Sequence, residues 1–87
     1  MPSDEDLETL ASKIGGRWMS LGRRLAVMDE IMMTIKFNSE DFNERAYKLL
    51  RHWRQREGSA ATYLVLHDAL CHHLVQRKDL AEMFCGK

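Results

Sequence analysis

Residues 41–56, DFNERAYKLLRHWRQR, constrain the fold most, because they read as one helix with two unlike faces. Phe42, Ala46, Leu49, Leu50 and Trp53 recur at spacings of three and four, which at 3.6 residues per turn aligns them as one apolar stripe. That stripe needs a core to pack on. Away from it stand Arg45, Lys48, Arg51, His52, Arg54 and Arg56, with no carboxylate between Arg45 and Arg56. The outer surface is therefore expected to be a one-sign basic ridge, which must meet acidic groups or stay in water.

At 87 residues the chain suffices for one core, and a single domain over residues 1–87 is expected. A hydrophobic content of 45% with 30% charged residues is that of a folded domain. No apolar run approaches the roughly 20 residues that cross a bilayer, so membrane insertion is not expected. Thirteen basic and thirteen acidic residues cancel to a formal charge of zero, although they are unevenly placed. Asp4, Glu5, Asp6 and Glu8 make an acidic amino end, Arg23 and Arg24 a basic pair, and Asp29 and Glu30 an acidic pair. Balanced but segregated charge suits a self-complementary protein surface. Cys71 and Cys85 are too few for a disulfide framework, and the acidic amino end is unlike a signal peptide, so a reducing, cytoplasmic location is expected.

The rest of the chain also reads as short helices. Ser3 followed by Asp6 forms a capping-box pattern, placing a helix start near Asp4. Leu7, Leu10, Ala11 and Ile14 are its buried stripe, and Gly15-Gly16 ends it. A second helix begins near Arg17, with Trp18, Leu21 and Leu25 inward and Arg17, Ser20, Arg23 and Arg24 outward. A third starts at Asp29 with Ile31 and Ile35 as the inward pair, and at least one of Met28, Met32 and Met33 reaches the surface. Asn38 and Ser39 are the expected caps of the long helix, and Glu57-Gly58-Ser59 closes it. A fifth helix spans Thr62 to Leu74. Its apolar positions, Tyr63, Leu64, Val65, Leu66, Ala69, Leu70 and Leu74, cover more than half its circumference, which predicts a central place. After a Gln76–Lys78 connector, Asp79 to Phe84 forms the last helix, with Leu80, Met83 and Phe84 as its apolar set.

The expected core is Leu10, Ile14, Trp18, Leu21, Leu25, Ile31, Ile35, Leu49, Leu50, Trp53, Leu66, Leu70 and Leu80. No period-two alternation and no Asn-Gly or Asp-Gly hairpin signal occurs, so the fold class is an all-α bundle of six helices.

Chemistry is sparse. His67, Cys71, His72, His73 and Cys85 lack the C-x-x-C and H-x-x-x-H spacings of zinc sites; Cys71 reads as a small near-core side chain and the histidines as the outer edge of the fifth helix. Trp18 and Trp53 are explained by helical spacing as scaffold. There is no glycine-rich phosphate loop, no nucleophile and base at a recognised spacing, and no reason to expect a cofactor, so an enzyme is not expected. The alternative function is a small nucleic-acid-binding domain using helix 41–56 for recognition. Zero net charge and the acidic first helix count against it, and no nucleic-acid partner is expected.

Several patterns together resemble a known family. They are Trp18 to Leu25 as W-x-x-L-x-x-x-L, the Ile31 and Ile35 pair, Leu49-Leu50-x-x-Trp53, Glu57-Gly58-x-x-Ala61-Thr62, Leu66-x-x-Ala69-Leu70, and Arg77-Lys78-Asp79-Leu80-Ala81. The ordered set covers nearly the whole chain and resembles a death domain. The resemblance implies a six-helix antiparallel bundle with Greek-key winding that binds other death domains, homotypic or heterotypic, in apoptotic or inflammatory signalling, with self-oligomers among the possible products. It further implies three types of asymmetric contact. Mapped on this sequence they centre on Glu5, Glu8, Arg23, Arg24, Arg45, Lys48 and Arg51, on Arg54, Arg56, Glu57, Gln76, Arg77 and Lys78, and on Asp29, Glu30 and Met33. The segment Lys36 to Glu40 is short and lacks the proline of many relatives, so contacts by that loop transfer least well.

Overall fold

A computed structural model describes residues 2–85, with side-chain surroundings given as far as Met83. The expected roles of Phe84 and Cys85 therefore fall outside the described side chains. Six helices follow one another: α1 Asp4–Ile14, α2 Trp18–Arg24, α3 Asp29–Phe37, α4 Phe42–Glu57, α5 Tyr63–Cys71 and α6 Lys78–Cys85. Gly15–Arg17 and Gly58–Ala60 are single 3-10 turns, and no strand occurs among the described residues. The described residues thus form the expected all-α helical bundle. No helix in the described residues is long and apolar enough to cross a membrane.

Local chemistry sets the boundaries. The Ser3 hydroxyl accepts from the Asp6 N–H at 3.1 Å, and the Asp6 carboxylate accepts from the Ser3 N–H at 3.4 Å, completing the capping box. Gly15 ends α1 at φ 58° and Gly58 ends α4 at φ 57°, a conformation that side chains with a Cβ resist. The end of α2 is less usual. Ala26 stands at φ 59°, with the Ala26 N–H bonded to the Arg23 carbonyl and the Val27 N–H to the Gly22 carbonyl. That pair of bonds is a Schellman stop with alanine where glycine is preferred.

The helices bury one continuous core, with Trp53 1% exposed at its largest side chain. α4 is its axis. α1, α2 and α3 all pack on α4, whereas α5 packs mainly on α6. The expected central place of α5 is thus corrected. Its helix is shorter than Thr62 to Leu74, Thr62 being its N-cap, and Leu64 and Leu74 are exposed. Leu66, Ala69 and Leu70 supply the buried side. Apolar residues around most of a short helix did not require burial all round.

Other expectations are also corrected. Asp41, not Asn38 or Ser39, caps α4, its carboxylate accepting from the Glu44 N–H at 2.7 Å. Asn38 instead donates its amide to the Thr34 carbonyl and closes α3, while the buried Ser39 hydroxyl makes no protein hydrogen bond. Ile31 is only partly buried at the core edge, because the α3 face that meets the core centres on Met32 and Ile35. Met28 and Met33 reach the surface, as one or more methionines had to. Phe42, Met83 and Cys71 are exposed rather than inward. All the other expected core residues are buried.

Candidate interaction surfaces

The charged side chains separate into those that hold the bundle together and those that face outward without a close partner. Arg54, whose side chain is 18% exposed, bonds the Pro2 carbonyl at 3.1 Å and the Asp4 carboxylate. Arg56 donates to the Leu25 and Ala26 carbonyls, both at 2.8 Å, and to Glu57. These two arginines extend from α4 to the start of α1 and the end of α2. Arg45 bonds the Ser39 carbonyl at 3.0 Å, and Arg77 bonds the Lys13 carbonyl at 2.7 Å besides its fork on Asp79. Arg17, which the sequence placed outside, bonds the Val75 carbonyl.

The basic ridge of α4 is therefore discontinuous. Arg51 lies over the Tyr47 ring, 5.7 Å from its centre, and Lys48 pairs with Glu44 one turn earlier at 3.1 Å. Positive charge at Arg54 and Arg51 acts on Asp4 of α1, so the acidic amino end and the ridge already meet within one molecule. The hydrogen bond from Arg54, then its charge, holds the Asp4 carboxyl below its ordinary value. Asp6 is held low chiefly by the Tyr63 hydroxyl, a tie between α1 and α5 that no sequence spacing signalled.

Glu5 and Glu8 remain exposed on α1 with no ion pair among the described residues. On α2, Arg23 lies 3.7 Å from Asp29, both well exposed, and Arg24 faces the His72 ring at 3.2 Å. Burial against its surroundings, then the charges of Arg24 and His73, hold His72 below its usual value. Glu30 and Met33 are exposed on α3, and Gln76 and Lys78 flank the half-buried Arg77 between α5 and α6. Glu57 sits at the carboxyl end of α4 beside Arg56. Two exposed aromatics were not foreseen as surface, Phe37 and Phe42, the latter with Arg45 5.8 Å from its ring centre.

Cys71 lies 3.9 Å from the His67 ring nitrogens, but among the described residues no three metal-binding groups converge. What the molecule offers is a compact helical scaffold with separate charged faces.

The Death domain family profile matches residues 4–84, and the chain belongs to that family. Death domains are protein-interaction modules rather than enzymes. Two related proteins are both called THO complex subunit 1. The human protein is 38% identical over 66 residues, covering 76% of this chain and 10% of the relative. The mouse protein is 38% identical over 58 residues, covering 67% of this chain and 9% of the relative. The chain thus corresponds to about a tenth of these relatives' length.

Proposed function

We propose that this domain works by binding other death domains, its own copies or those of different chains, through charged surfaces that meet heterologously. It adds no chemistry of its own. The supporting observation is that Glu5 and Glu8 on α1 and Arg23 and Arg24 on α2 carry exposed charge of opposite sign on separate elements. Such groups can be matched between molecules, where a repeating heterologous contact needs no symmetry axis. In this reading the product is a signalling assembly of the apoptotic or inflammatory kind that the family resemblance implies. The relatives' name, THO complex subunit 1, supports a second setting, a place within a standing multi-subunit complex. Binding to a protein partner is common to both.

Titration calorimetry against a panel of purified death domains tests the reading. Wild type should bind at least one member, and Arg24→Glu or Glu8→Arg should weaken that binding at least tenfold while the melting curve stays in place. No binding to any member, or binding untouched by both reversals, would overturn the charged-surface reading.

A further inference from the structure

Arg24, in the last turn of α2, and His72, the C-cap of α5, meet across a cleft of about 420 Å³. Arg23 and Asp68 border it, and Val65 with the buried Ala69 forms its wall. Cations in the last turn of α2 are favoured by the helix dipole alone, so their presence there points to no ligand. The ring of His72 does. Its Nδ1 lies 3.1 Å from the Leu74 backbone nitrogen, and its Nε2 lies 3.2 Å from Arg24 Nη1. Both neighbours are hydrogen-bond donors, yet a neutral imidazole accepts at one nitrogen only and an imidazolium at neither. The bond from Leu74 is local, two residues along the chain, which gives Nδ1 the accepting role and leaves the ring proton on Nε2. The Nε2–H group and Arg24 then direct two donors into the same part of the cleft.

The ring is held in that place. Its own backbone N–H bonds the Ala69 carbonyl at 3.3 Å, and the His73 ring stacks on it with centres 4.4 Å apart. Burial first, then the charges of Arg24 and His73, keep His72 below its ordinary value, so near pH 7 the ring stays in the neutral form that carries this one proton. Arg24 has no ion pair among the described residues, whereas Arg23 stands 3.7 Å from Asp29.

We propose that this cleft binds a phosphomonoester dianion, whose oxygens accept from Arg24 and from the Nε2–H of His72. An arginine fork fits a phosphate group, and Arg23 adds a second positive charge at the rim. Asp68 on the same rim repels anions, so a ligand must gain enough from the arginines to outweigh it. A monoester, with nearly two negative charges at pH 7 and three acceptor oxygens, gains more than a carboxylate or a singly charged diester. A small phosphate and a phosphorylated side chain offer the same group. The site goes beyond the reading of the domain as a module for other death domains and does not rest on it.

Nuclear magnetic resonance titrations on this chain test the assignment, with inorganic phosphate and with the blocked tripeptide Ala-phosphoserine-Ala as probes. Wild type should show saturable shifts at Arg24, Val65 and His72, including the His72 Nε2 resonance. Arg24→Gln removes the fork. His72→Asn removes the Nε2–H, while its side-chain oxygen can still accept from the N–H two residues on. Each should weaken binding about fivefold or more, with thermal melts run beside the titration to show that the fold holds. Lys36→Gln removes an exposed cation outside the cleft and should bind as wild type does.

Tighter binding of the tripeptide than of inorganic phosphate would assign the group to a phosphorylated protein segment, and equal binding to a free phosphate; either supports the site. Shifts that sodium chloride reproduces at matched ionic strength would sink the proposal. So would saturable binding untouched by both cleft variants, a free ring that carries its proton on Nδ1, or an Ala-Asp-Ala peptide that binds as well as the phosphorylated one. No second death domain enters the assay, so its failure leaves the interaction-module reading where it stood.

Discussion

Trp53 shows how much one side chain contributes in a chain this short. It is 1% exposed on the axial helix, and truncation to alanine should remove about 3–5 kcal/mol. Total stability for 87 residues is on the order of 4–13 kcal/mol, so denaturant melts of Trp53→Ala should show a marginal or unfolded protein. A wild-type midpoint would contradict its place in the core. Asp6 makes a different prediction. Its folded-state carboxyl is held below the ordinary value of 3.8, mainly by the Tyr63 hydroxyl. A depressed acid contributes stability that is fully present above the unfolded value and disappears as pH falls through the folded one. Tyr63→Phe should therefore destabilise at neutral pH, and its deficit against wild type should shrink by about pH 2.5. Urea melts at both pH values give the comparison; a deficit independent of pH would detach Tyr63 from the carboxylate.

Among the elements, the end of α2 carries the clearest prediction. Ala26 adopts a left-handed conformation that costs an L-residue roughly 1–2 kcal/mol, and Arg56 of α4 holds its carbonyl and that of Leu25. Ala26→Gly should raise stability by about 1 kcal/mol, seen as a higher melting midpoint. Arg56→Ala should lower it by about 1–3 kcal/mol, because charge-assisted bonds to two carbonyls are lost. Arg51→Ala, on the same helix but exposed, over the Tyr47 ring and acting on Asp4 only through its charge after the closer Arg54, should change stability by no more than about 0.5 kcal/mol. Equal effects at Arg51 and Arg56 would refute the division of the ridge into structural and outward arginines. Gly22 argues similarly for close packing: a Cβ there would lie 2.6 Å from Met32 Sδ and 3.0 Å from Leu49 Cδ1. Both neighbours are fully buried, so crowding of about 1–3 kcal/mol should exceed the ~1 kcal/mol of helix propensity that Gly22→Ala gains.

For the whole molecule, net charge decides between binding a protein and binding nucleic acid. Thirteen cations and thirteen anions sum to zero, and several of the arginines on α4 are tied to backbone carbonyls or to Asp4. Little cationic field is left to gather phosphates. In fluorescence anisotropy against random duplex DNA at physiological salt, the domain should show no submicromolar binding and no steep salt dependence. Tight, salt-sensitive binding would favour the nucleic-acid alternative.

The sequence by itself determined the helices, their order and nearly all of the core. Helical spacing marks Leu49, Leu50 and Trp53 as inward wherever the chain folds, and Ser3 with Asp6 fixes a start through bonds three residues apart. Local rules reach that far because their partners lie within one or two turns. Only the tertiary structure decided that α4 rather than α5 is the axis, that Met32 takes the buried place beside Ile35, and that Arg54 and Arg56 hold the fold. Arg54 reaches Pro2 across 52 positions and Arg56 reaches Leu25 across 31. A one-dimensional pattern of charge distinguishes none of the five lysines and arginines from Arg45 to Arg56. Which of them meets a carbonyl, a ring or open water depends on which helix end lies within a side chain's length, and packing alone sets that distance.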